Sequence, residues 1–419
     1  MTDTTSHSAK FLLLFILFLP LHIAWGQEEV ASSWQVKGFV DTYHAVRSEK
    51  PNNFMSSRTR IRGEIGKSFE GSSLFVSFNA TYNALLKERT GFELREAYLD
   101  HRDDHWGFRL GRQLVIWGAA DGVRITDLVS PMDMTEFLAQ DYDDIRMPVN
   151  ALRLFVFNDK MKLELLAVPT FEGYKLPTDA INPWCILPKD SPLPIAWEEN
   201  GSHPSLHFAN IEYGGKLSFT LPGVDFSLSA LHTWNKMPVF TYRPTDTHIV
   251  VAPQYYRMGF FGGDISKPLG QLVLRGEAAF NVGKHFSYRP DASDQEQKGF
   301  NTVNYLVGID WYAPKDWVVM AQFSSESILK YEDQIAQPHH NSLLTLNVSK
   351  KLLDNTLQLS NFTYFDLNHK GWFSRFTAAY SLNDFIQLSL GYDWFGGDEG
   401  VFSAYKNNSE VWAKAKYSF

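Results

Sequence analysis

The sequence predicts an all-β protein, a transmembrane antiparallel up-and-down β-barrel of about 18 strands, with about 16 strands as the alternative. Apolar and polar residues alternate with a period of two, short and long connections alternate along the chain, and the last strand ends on an aromatic residue. Of the 419 residues, 44% are hydrophobic, and the mean hydropathy is mildly negative. Because a spanning strand needs only every second residue to be apolar, this composition is compatible with a membrane barrel.

Composition excludes several other classes of protein. The formal charge of −8 argues against a nucleic-acid partner, and the single cysteine, Cys185, excludes an internal disulfide and a cysteine-based zinc site. The GxSxG and HExxH motifs of hydrolases and metalloproteases are absent from the sequence. The sequence therefore predicts no enzyme, no cofactor and no metal site.

The N-terminus has the pattern of a secretory signal peptide. Lys10 precedes an apolar stretch over 11–19, and the small residues Ala24 and Gly26 would stand before a cut at Gln27. The alternative, an N-terminal membrane anchor, requires a longer apolar run, which Pro20 interrupts. We therefore expect residues 1–26 to be removed and residues 27–419 to form a single outer-membrane barrel domain.

From residue 27 onward, the dominant period is that of β-strands. One example is the segment 74–82, where Leu74, Val76, Phe78, Ala80 and Tyr82 alternate with Phe75, Ser77, Asn79 and Thr81. Eight short turns and nine longer connections would separate 18 strands, and the two kinds alternate strictly. An up-and-down membrane barrel explains this order, because it has tight turns at one rim and longer loops at the other. A soluble β-sandwich or propeller, the alternative, does not predict this one-sided asymmetry.

The last strand carries the most specific local signal. Val411, Ala413 and Ala415 face one way, together with Tyr417 and Phe419. This strand resembles the C-terminal strand of outer-membrane barrels, whose terminal aromatics are recognised by the barrel-assembly machinery. We therefore expect Tyr417 and Phe419 to be the assembly signal, and outer-membrane lipid and lipopolysaccharide to surround the barrel in a Gram-negative bacterium.

Charged residues on the opposite strand faces predict a polar lumen. Arg58, Arg60 and Arg62 alternate along the second predicted strand and form what we call the arginine ladder. Arg95 and Arg153 have similar predicted positions on other strands. An arginine facing lipid at the midplane would cost about 2–4 kcal/mol, so these side chains should point inward and line a pore constriction.

The third long connection, 113–146, combines acidic and apolar residues. Asp121, Asp127, Asp133 and Glu136 would narrow the pore opposite the arginine ladder if the connection folds into the barrel. Its apolar residues favour that position, because a fully solvated loop has little use for them. The alternative role for its charges is structural, with Asp143, Asp144 and Arg146 forming ion pairs that anchor the loop to the wall.

The same region resembles a known family. The residues that carry the resemblance lie mainly within 92–153 and include Gly111-Arg112-Gln113, Trp117-Gly118, Asp121-Gly122, Asp127, Pro131, Asp133, Glu136, Asp144, Arg146, Pro148 and Leu152-Arg153. They are similar to a Gram-negative outer-membrane β-barrel family of unknown function, often grouped with resistance-nodulation-division exporters. The resemblance implies a porin-like barrel, and in some members a link to the export of lipids or other hydrophobic compounds.

Two functions remain open at this point. The first is a porin-like channel for small solutes, with the acidic inward loop facing the arginine ladder. The second is a barrel subunit of an export or envelope complex for lipids or other hydrophobic compounds, which works only with partners. The proline-rich connection 170–207 could be a stiff lid, a plug or a docking surface for such a partner, and the alternative is a lid packed on neighbouring loops. Either function could also involve a homo-oligomer.

Overall fold

The computed structural model describes residues 34–120, 122–139, 142–187, 191–198, 203–289 and 296–419, with the backbone alone at residues 142 and 143. The predicted signal peptide, residues 1–26, lies outside the described residues. The prediction that residues 27–419 form a single domain therefore stays a prediction.

The chain is almost entirely β-structure. Its strands are β1 (Trp34–Arg47), β2 (Phe54–Phe69), β3 (Ser72–Asn83), β4 (Gly91–Arg102), β5 (Trp106–Gln113), β6 (Val149–Phe157), β7 (Met161–Val168), β8 (Ile195–Trp197), β9 (Glu212–Leu221), β10 (Val224–Trp234), β11 (Val239–Pro244), β12 (Ile249–Gln254), β13 (Arg257–Leu269), β14 (Leu272–Ser287), β15 (Gln297–Ala313), β16 (Trp317–Ile328), β17 (His340–Leu352), β18 (Leu357–Asp366), β19 (Gly371–Ser381), β20 (Ile386–Gly396) and β21 (Glu410–Ser418).

All of these strands except β8, β11 and β12 form one 18-stranded antiparallel sheet. Consecutive barrel strands pair with each other, and β1 pairs with β21 from Phe39↔Ser418 to Arg47↔Glu410, which closes the sheet into a barrel. The prediction of an up-and-down barrel with 18 strands, rather than 16, is confirmed. Closure leaves the barrel without an unpaired edge, as a lipid environment requires.

The connections alternate between the two rims as predicted. The short turns at one rim are 70–71, 103–105, 158–160, 222–223, 270–271, 314–316, 353–356 and 382–385. The opposite rim, which we call the mouth, carries the longer connections, including 114–148, 169–211 and 235–256. The shortest connections at the mouth are 48–53 and 367–370.

Alternation along each strand separates an apolar exterior from a polar interior. On β15, Val303, Tyr305 and Val307 are exposed on the outside, whereas Thr302 and Asn304 are buried on the inside. Aromatic side chains are exposed near both ends of the apolar exterior, where their rings suit the headgroup region. Examples are Trp34, Trp106, Trp311 and Trp317 at the short-turn rim and Phe92, Tyr213 and Trp394 towards the mouth. This exterior identifies an outer-membrane barrel and confirms the predicted location in the outer membrane of a Gram-negative bacterium.

The C-terminal residues complete the closure. The Phe419 backbone exchanges two hydrogen bonds with Gly38 of β1, at 2.9 and 3.0 Å. The ring of Phe419 lies 6.2 Å from the ring of Tyr417, and both side chains are exposed. Their predicted recognition by the assembly machinery stays a prediction.

Elements outside the barrel wall lie in the connections at the mouth. The strands β8, β11 and β12 form a second sheet, in which β12 pairs parallel to β8 and antiparallel to β11. The helices are short: α1 (Tyr142–Ile145), α2 (Gly400–Ala404) and the 3-10 turns Lys87–Arg89, Phe208–Asn210 and Lys406–Asn408. Among the described residues, the structure contains no helix long and apolar enough to cross a membrane.

Candidate functional site

The connection between β5 and β6, residues 114–148, folds into the lumen, and we call it the inward loop. Its predicted position inside the barrel is confirmed. The described apolar residues Val115, Ile125 and Val129 pack against wall residues that include Phe260 and Leu306. Burial of apolar surface therefore stabilises the loop against the barrel wall, at about 25 cal/mol per Å² of area removed from water.

One buried carboxylate holds the first half of the inward loop. Glu277 on β14 accepts hydrogen bonds from the backbone N–H groups of Ala119 and Ala120, each at 2.7 Å. It also accepts from the N–H and the hydroxyl of Thr126, at 3.1 and 2.9 Å. Arg275, also on β14, donates to the Ala119 carbonyl oxygen at 2.9 Å. A single wall position thus satisfies several backbone groups that would otherwise be buried without partners.

The loop then reaches a different part of the wall. The Tyr364 hydroxyl on β18 donates to the carbonyl oxygen of Gly122 at 2.7 Å. Gly122 has a φ of +77°, and a Cβ there would lie 2.5 Å from the Phe362 ring. Glycine is required at this point because both the conformation and the close approach exclude a side chain.

The arginine ladder binds the second half of the inward loop. Arg58 forms an ion pair with Glu136, and Arg60 lies 2.6 Å from Asp41 of β1. Asp144 lies 2.9 Å from Arg60 and 3.0 Å from the third ladder residue, Arg62. The ladder is therefore in direct contact with Glu136 and Asp144 of the inward loop, rather than separated from them by a solute path.

The charges of the ladder affect the titration of Asp144. Burial alone would raise the pKa of the Asp144 carboxyl, but the positive charges of Arg60 and Arg62 outweigh it and hold that pKa well below its usual range. Arg95, the bulged residue of β4, contributes in the same direction. The loop contact should therefore stay ionised at neutral and mildly acidic pH.

This shift predicts how stability depends on pH. A carboxyl whose folded-state pKa is depressed stabilises the fold fully above its unfolded-state pKa and loses this contribution as the pH falls towards the folded-state pKa. We expect Asp144→Asn to lower the thermal unfolding midpoint by a similar amount from pH 7 to about pH 5, with the difference narrowing below about pH 4. Asp246→Asn, at an exposed loop carboxylate, is the matched control. A difference that grows on acidification would contradict this interpretation.

The remaining predicted site residues are distributed along the loop and wall. Asp127 lies 3.1 Å from Arg146 and 3.5 Å from Arg124. Both ion pairs of Asp127 therefore lie within the inward loop. Asp133 forms an ion pair with Arg89, from the connection between β3 and β4. Asp121 and the Asp143 side chain lie outside the described residues. Thus, the predicted acids are not gathered at one point.

Arg153 on β6 belongs to another cluster on the wall. It lies 2.8 Å from Glu164 of β7, and the same carboxylate accepts a hydrogen bond from the Trp117 indole N–H at 2.9 Å. Arg153 therefore positions the carboxylate that holds the start of the inward loop. Whether any predicted residue selects solutes stays a prediction.

A second segment covers the mouth above the inward loop. Residues 169–187, which we call the strap, run from β7 to the region of β20, nearly opposite in the strand order. There Trp184 lies among aromatic rings, with centroids 5.3 Å from Phe395, 5.4 Å from Tyr405 and 6.2 Å from Phe137 of the inward loop. The strap is thereby joined to both the wall and the inward loop.

Polar contacts fix the same end of the strap. Tyr405 donates to the Trp184 carbonyl oxygen at 3.1 Å, and Asn408 donates to that of Pro183 at 2.9 Å. Asn182 donates to the Thr135 carbonyl oxygen of the inward loop at 2.8 Å. Burial raises the pKa of the Tyr405 hydroxyl to about 12, so it remains a neutral donor at physiological pH.

Sequence reasoning missed the residues that hold the loop most firmly. The sequence patterns do not single out Glu277, and they include Trp184 only as part of the proline-rich connection 170–207. The available signals were an acid on the lumen-facing side of a spanning strand and a tryptophan inside the proline-rich connection. Across the described ranges, no three or more His, Cys, Asp or Glu side chains are grouped as metal ligands would be.

Comparisons with known proteins agree with this architecture. Residues 33–179 match the family described as "Protein of unknown function (DUF1302)", which confirms the resemblance predicted from residues 92–153 over that part of the chain. The comparison with curated proteins gives no match. The comparisons with solved structures concern the fold of the whole barrel.

Two similar solved structures have TM-scores above 0.5. Pseudomonas aeruginosa OccK11 (OpdR) has 7% identity and a TM-score of 0.54, with 92% of this chain and 96% of that chain covered. Acinetobacter baumannii OccAB3 has 10% identity and a TM-score of 0.52, with 92% of this chain and 99% of that chain covered. At such low identity, these likenesses show the porin-like barrel fold alone.

Proposed function

We propose that this protein is a porin-like outer-membrane channel, whose polar lumen passes small solutes and is narrowed by the inward loop. The observation that carries the proposal is that the inward loop contacts β7, β14, β18 and β2. These four strands are spread around the circumference of the barrel. A loop held on all sides of a lumen reduces its cross-section and limits the size of solutes that pass.

The arginine ladder has a mainly positioning role in this proposal. Its three guanidinium groups are paired at contact distance with carboxylates of β1 and of the inward loop. Because paired opposite charges largely cancel at the distance of a passing ion, the crosswise field is weaker than that of an uncompensated ladder. The loop acids are then anchors first and a selectivity feature second.

A solute-flux assay tests the proposal. Liposomes containing the purified barrel should swell in isotonic solutions of small neutral solutes, and the rate should fall steeply as solute size increases. Protein-free liposomes and liposomes containing heat-denatured protein are the controls. Swelling rates equal to those of the controls for every solute would contradict the channel function.

The pairing of the ladder also predicts weak ion selectivity. In a potassium chloride gradient across a planar bilayer, we expect a zero-current potential close to zero. Asp144→Asn should shift it towards anion selectivity, because the substitution leaves Arg60 and Arg62 with less compensating charge. A strong preference in the wild-type protein, or a shift towards cations in the variant, would contradict the proposed role of the ladder.

The second candidate is a barrel subunit of an export or envelope complex. Three apolar side chains in the connection between β7 and β9 favour it, namely Ile181, Leu206 and Phe208, which are 70%, 78% and 86% exposed. Contiguous exposed apolar groups often mark protein contacts, and Leu206 and Phe208 lie two positions apart in the sequence. Affinity purification in mild detergent should then recover a stoichiometric partner, and a Leu206→Ser/Phe208→Ser variant should lose it. Recovery of the barrel alone would count against this candidate.

A further inference from the structure

A cavity of about 560 Å³ lies at the mouth, and we call it the mouth cavity. Its lining comes from four connections, including Leu86 between β3 and β4, Met147 of the inward loop, Tyr174 of the strap and Tyr255 before β13. The volume is in the range of small-molecule binding sites. A solute would meet this cavity on the mouth side of the inward loop.

Backbone hydrogen bonds hold the floor of the mouth cavity in place. Lys175 donates to the Met132 carbonyl oxygen at 3.0 Å, and Met134 donates to that of Lys175 at 2.8 Å, which joins the strap to the inward loop. On the other side, Tyr174 donates to the Lys236 carbonyl oxygen at 3.0 Å. A site built on such contacts is largely preformed, so a ligand would not have to order it.

Aromatic rings form one side of the mouth cavity. Tyr255 and His203 meet edge to face, with centroids 5.1 Å apart, and Phe171 lies 4.8 Å from Tyr255. Gly173 allows this arrangement, because a Cβ there would lie 2.6 Å from the Tyr255 hydroxyl. Trp197 also lines the cavity, and its backbone is fixed by the pairing of β8 with β12. Tyr255 is 8% exposed and packs mainly on its neighbours, whereas Trp197 is half-buried and leaves more of its ring to a solute. An aromatic ring suits the C–H face of a sugar ring.

The charged side chains of the lining are Glu88, Arg89, Glu172, Lys175 and Asp179. With three acids and two bases, neither sign of charge dominates, which favours a ligand without net charge. Arg89 is paired with Asp133, and Glu172 lies 2.6 Å from Arg112. Burial lowers the pKa of the His203 imidazole, so at neutral pH it is a neutral group that can both donate and accept. Hydroxyl groups of a ligand would match such dual donors and acceptors better than an ion would.

The lumen wall on the short-turn side of the inward loop also carries uncharged polar side chains over β17–β20. Residues spaced by two from Tyr364, and their cross-strand partners, face inward. Towards the short-turn rim, this face includes Lys351, Ala379 and Gly391, and most of the other side chains carry a hydroxyl or amide group and are half-buried or exposed. They are Asn347, Ser349, Gln358, Ser360, Thr377 and Ser389.

From this geometry we infer that the mouth cavity is a binding site for a neutral, polyhydroxylated solute of about disaccharide size, and that such solutes are the substrate class of the channel. The binding site stands on the mouth geometry alone, whereas the substrate class rests on the proposed channel function. Trp197 and Tyr255 would contact the ring faces of the solute.

Isothermal titration calorimetry on the purified full-length barrel tests the binding site. The detergent is lauryldimethylamine oxide, because sugar-headed detergents would compete, and the probes are maltose, cellobiose and lactose, with succinate as an anionic comparison. We expect saturable binding of at least one disaccharide. Trp197→Ala and Tyr255→Ala should each weaken it by about tenfold or more, corresponding to about 1.4 kcal/mol. Tyr331→Ala, at a loop tyrosine outside the cavity, should leave it unchanged.

Tyr255→Phe separates the ring contact from folding effects, because it keeps the aromatic face and should retain most of the affinity. Absence of binding for all three disaccharides, binding of succinate alone, or equal affinity in the wild type and both alanine variants would overturn the inference. Binding in detergent does not require conduction, so liposome swelling without calorimetric binding would refute the site while leaving the channel function intact. Binding without swelling would refute the channel and retain the site.

Discussion

Replacing Trp184 with alanine is expected to release the strap from the mouth of the barrel. The side chain is 1% exposed and lies in an aromatic cluster shared by the wall, the inward loop and the connection before β21. Loss of a buried tryptophan typically costs about 3–5 kcal/mol, through lost transfer energy and the cavity that remains. That cost falls on the strap and its neighbours, because the barrel strands remain paired without it.

Limited proteolysis in detergent measures this release. We expect Trp184→Ala to be cut within residues 169–187 much faster than the wild-type protein, while the barrel strands stay protected. Trp197→Ala is the matched control, because Trp197 belongs to the same connection and lies outside the aromatic cluster. Equal cleavage rates in the wild type and Trp184→Ala would contradict the role given to this side chain.

Trp184→Phe should have a smaller effect than Trp184→Ala. The indole N–H is buried and has no hydrogen-bond partner among the described residues, and an unsatisfied buried donor typically costs about 1–3 kcal/mol. Phenylalanine removes this donor and keeps an aromatic ring between Phe395 and Tyr405. A phenylalanine variant as easily cleaved as the alanine variant would show that the polar backbone contacts matter more than the ring.

Replacing Glu277 with alanine is expected to detach the first half of the inward loop. The substitution removes the acceptor for three backbone N–H groups and one hydroxyl. Each donor left buried without a partner costs about 1–3 kcal/mol, so the loop should leave its position on β14 rather than keep them unsatisfied. We expect larger and noisier single-channel currents than in the wild-type protein.

Glu326→Ala is the matched control for this prediction. Glu326 is a lumen-facing acid of β16 that lies 2.6 Å from Lys284 of β14, rather than against the inward loop. We expect its currents to be as quiet as those of the wild type. Glu277→Gln, which keeps one acceptor oxygen, should lie between alanine and wild type. Currents from Glu277→Ala indistinguishable from those of Glu326→Ala would contradict the anchoring role.

The barrel itself could be predicted because its signals are local. Alternation along residues 58–64 places the arginine ladder on one face of β2, since the period of side chains in a strand is two. The inward position of the third long connection followed from its apolar residues, such as Val129, which indeed pack on the wall. Strand number followed from the order of short and long connections.

The partners of the loop could not be predicted, because they depend on barrel closure and register. Ala119 meets Glu277 only when β5 and β14 face the same lumen, and 158 positions separate the two residues in sequence. The small sheet of β8, β11 and β12 was also missed. Its strands are short and contain Pro244 and Pro253, which local patterns assign to loops rather than to strands.

The most direct measurement of the central claim is the single-channel conductance of the wild-type barrel compared with a variant in which a short glycine-serine linker replaces residues 121–141. If the inward loop narrows an open lumen, the wild-type protein should give ohmic current steps, and the deletion variant should give larger steps with weaker solute discrimination. Steps of equal size in both proteins, or no steps in either, would contradict a channel narrowed by this loop.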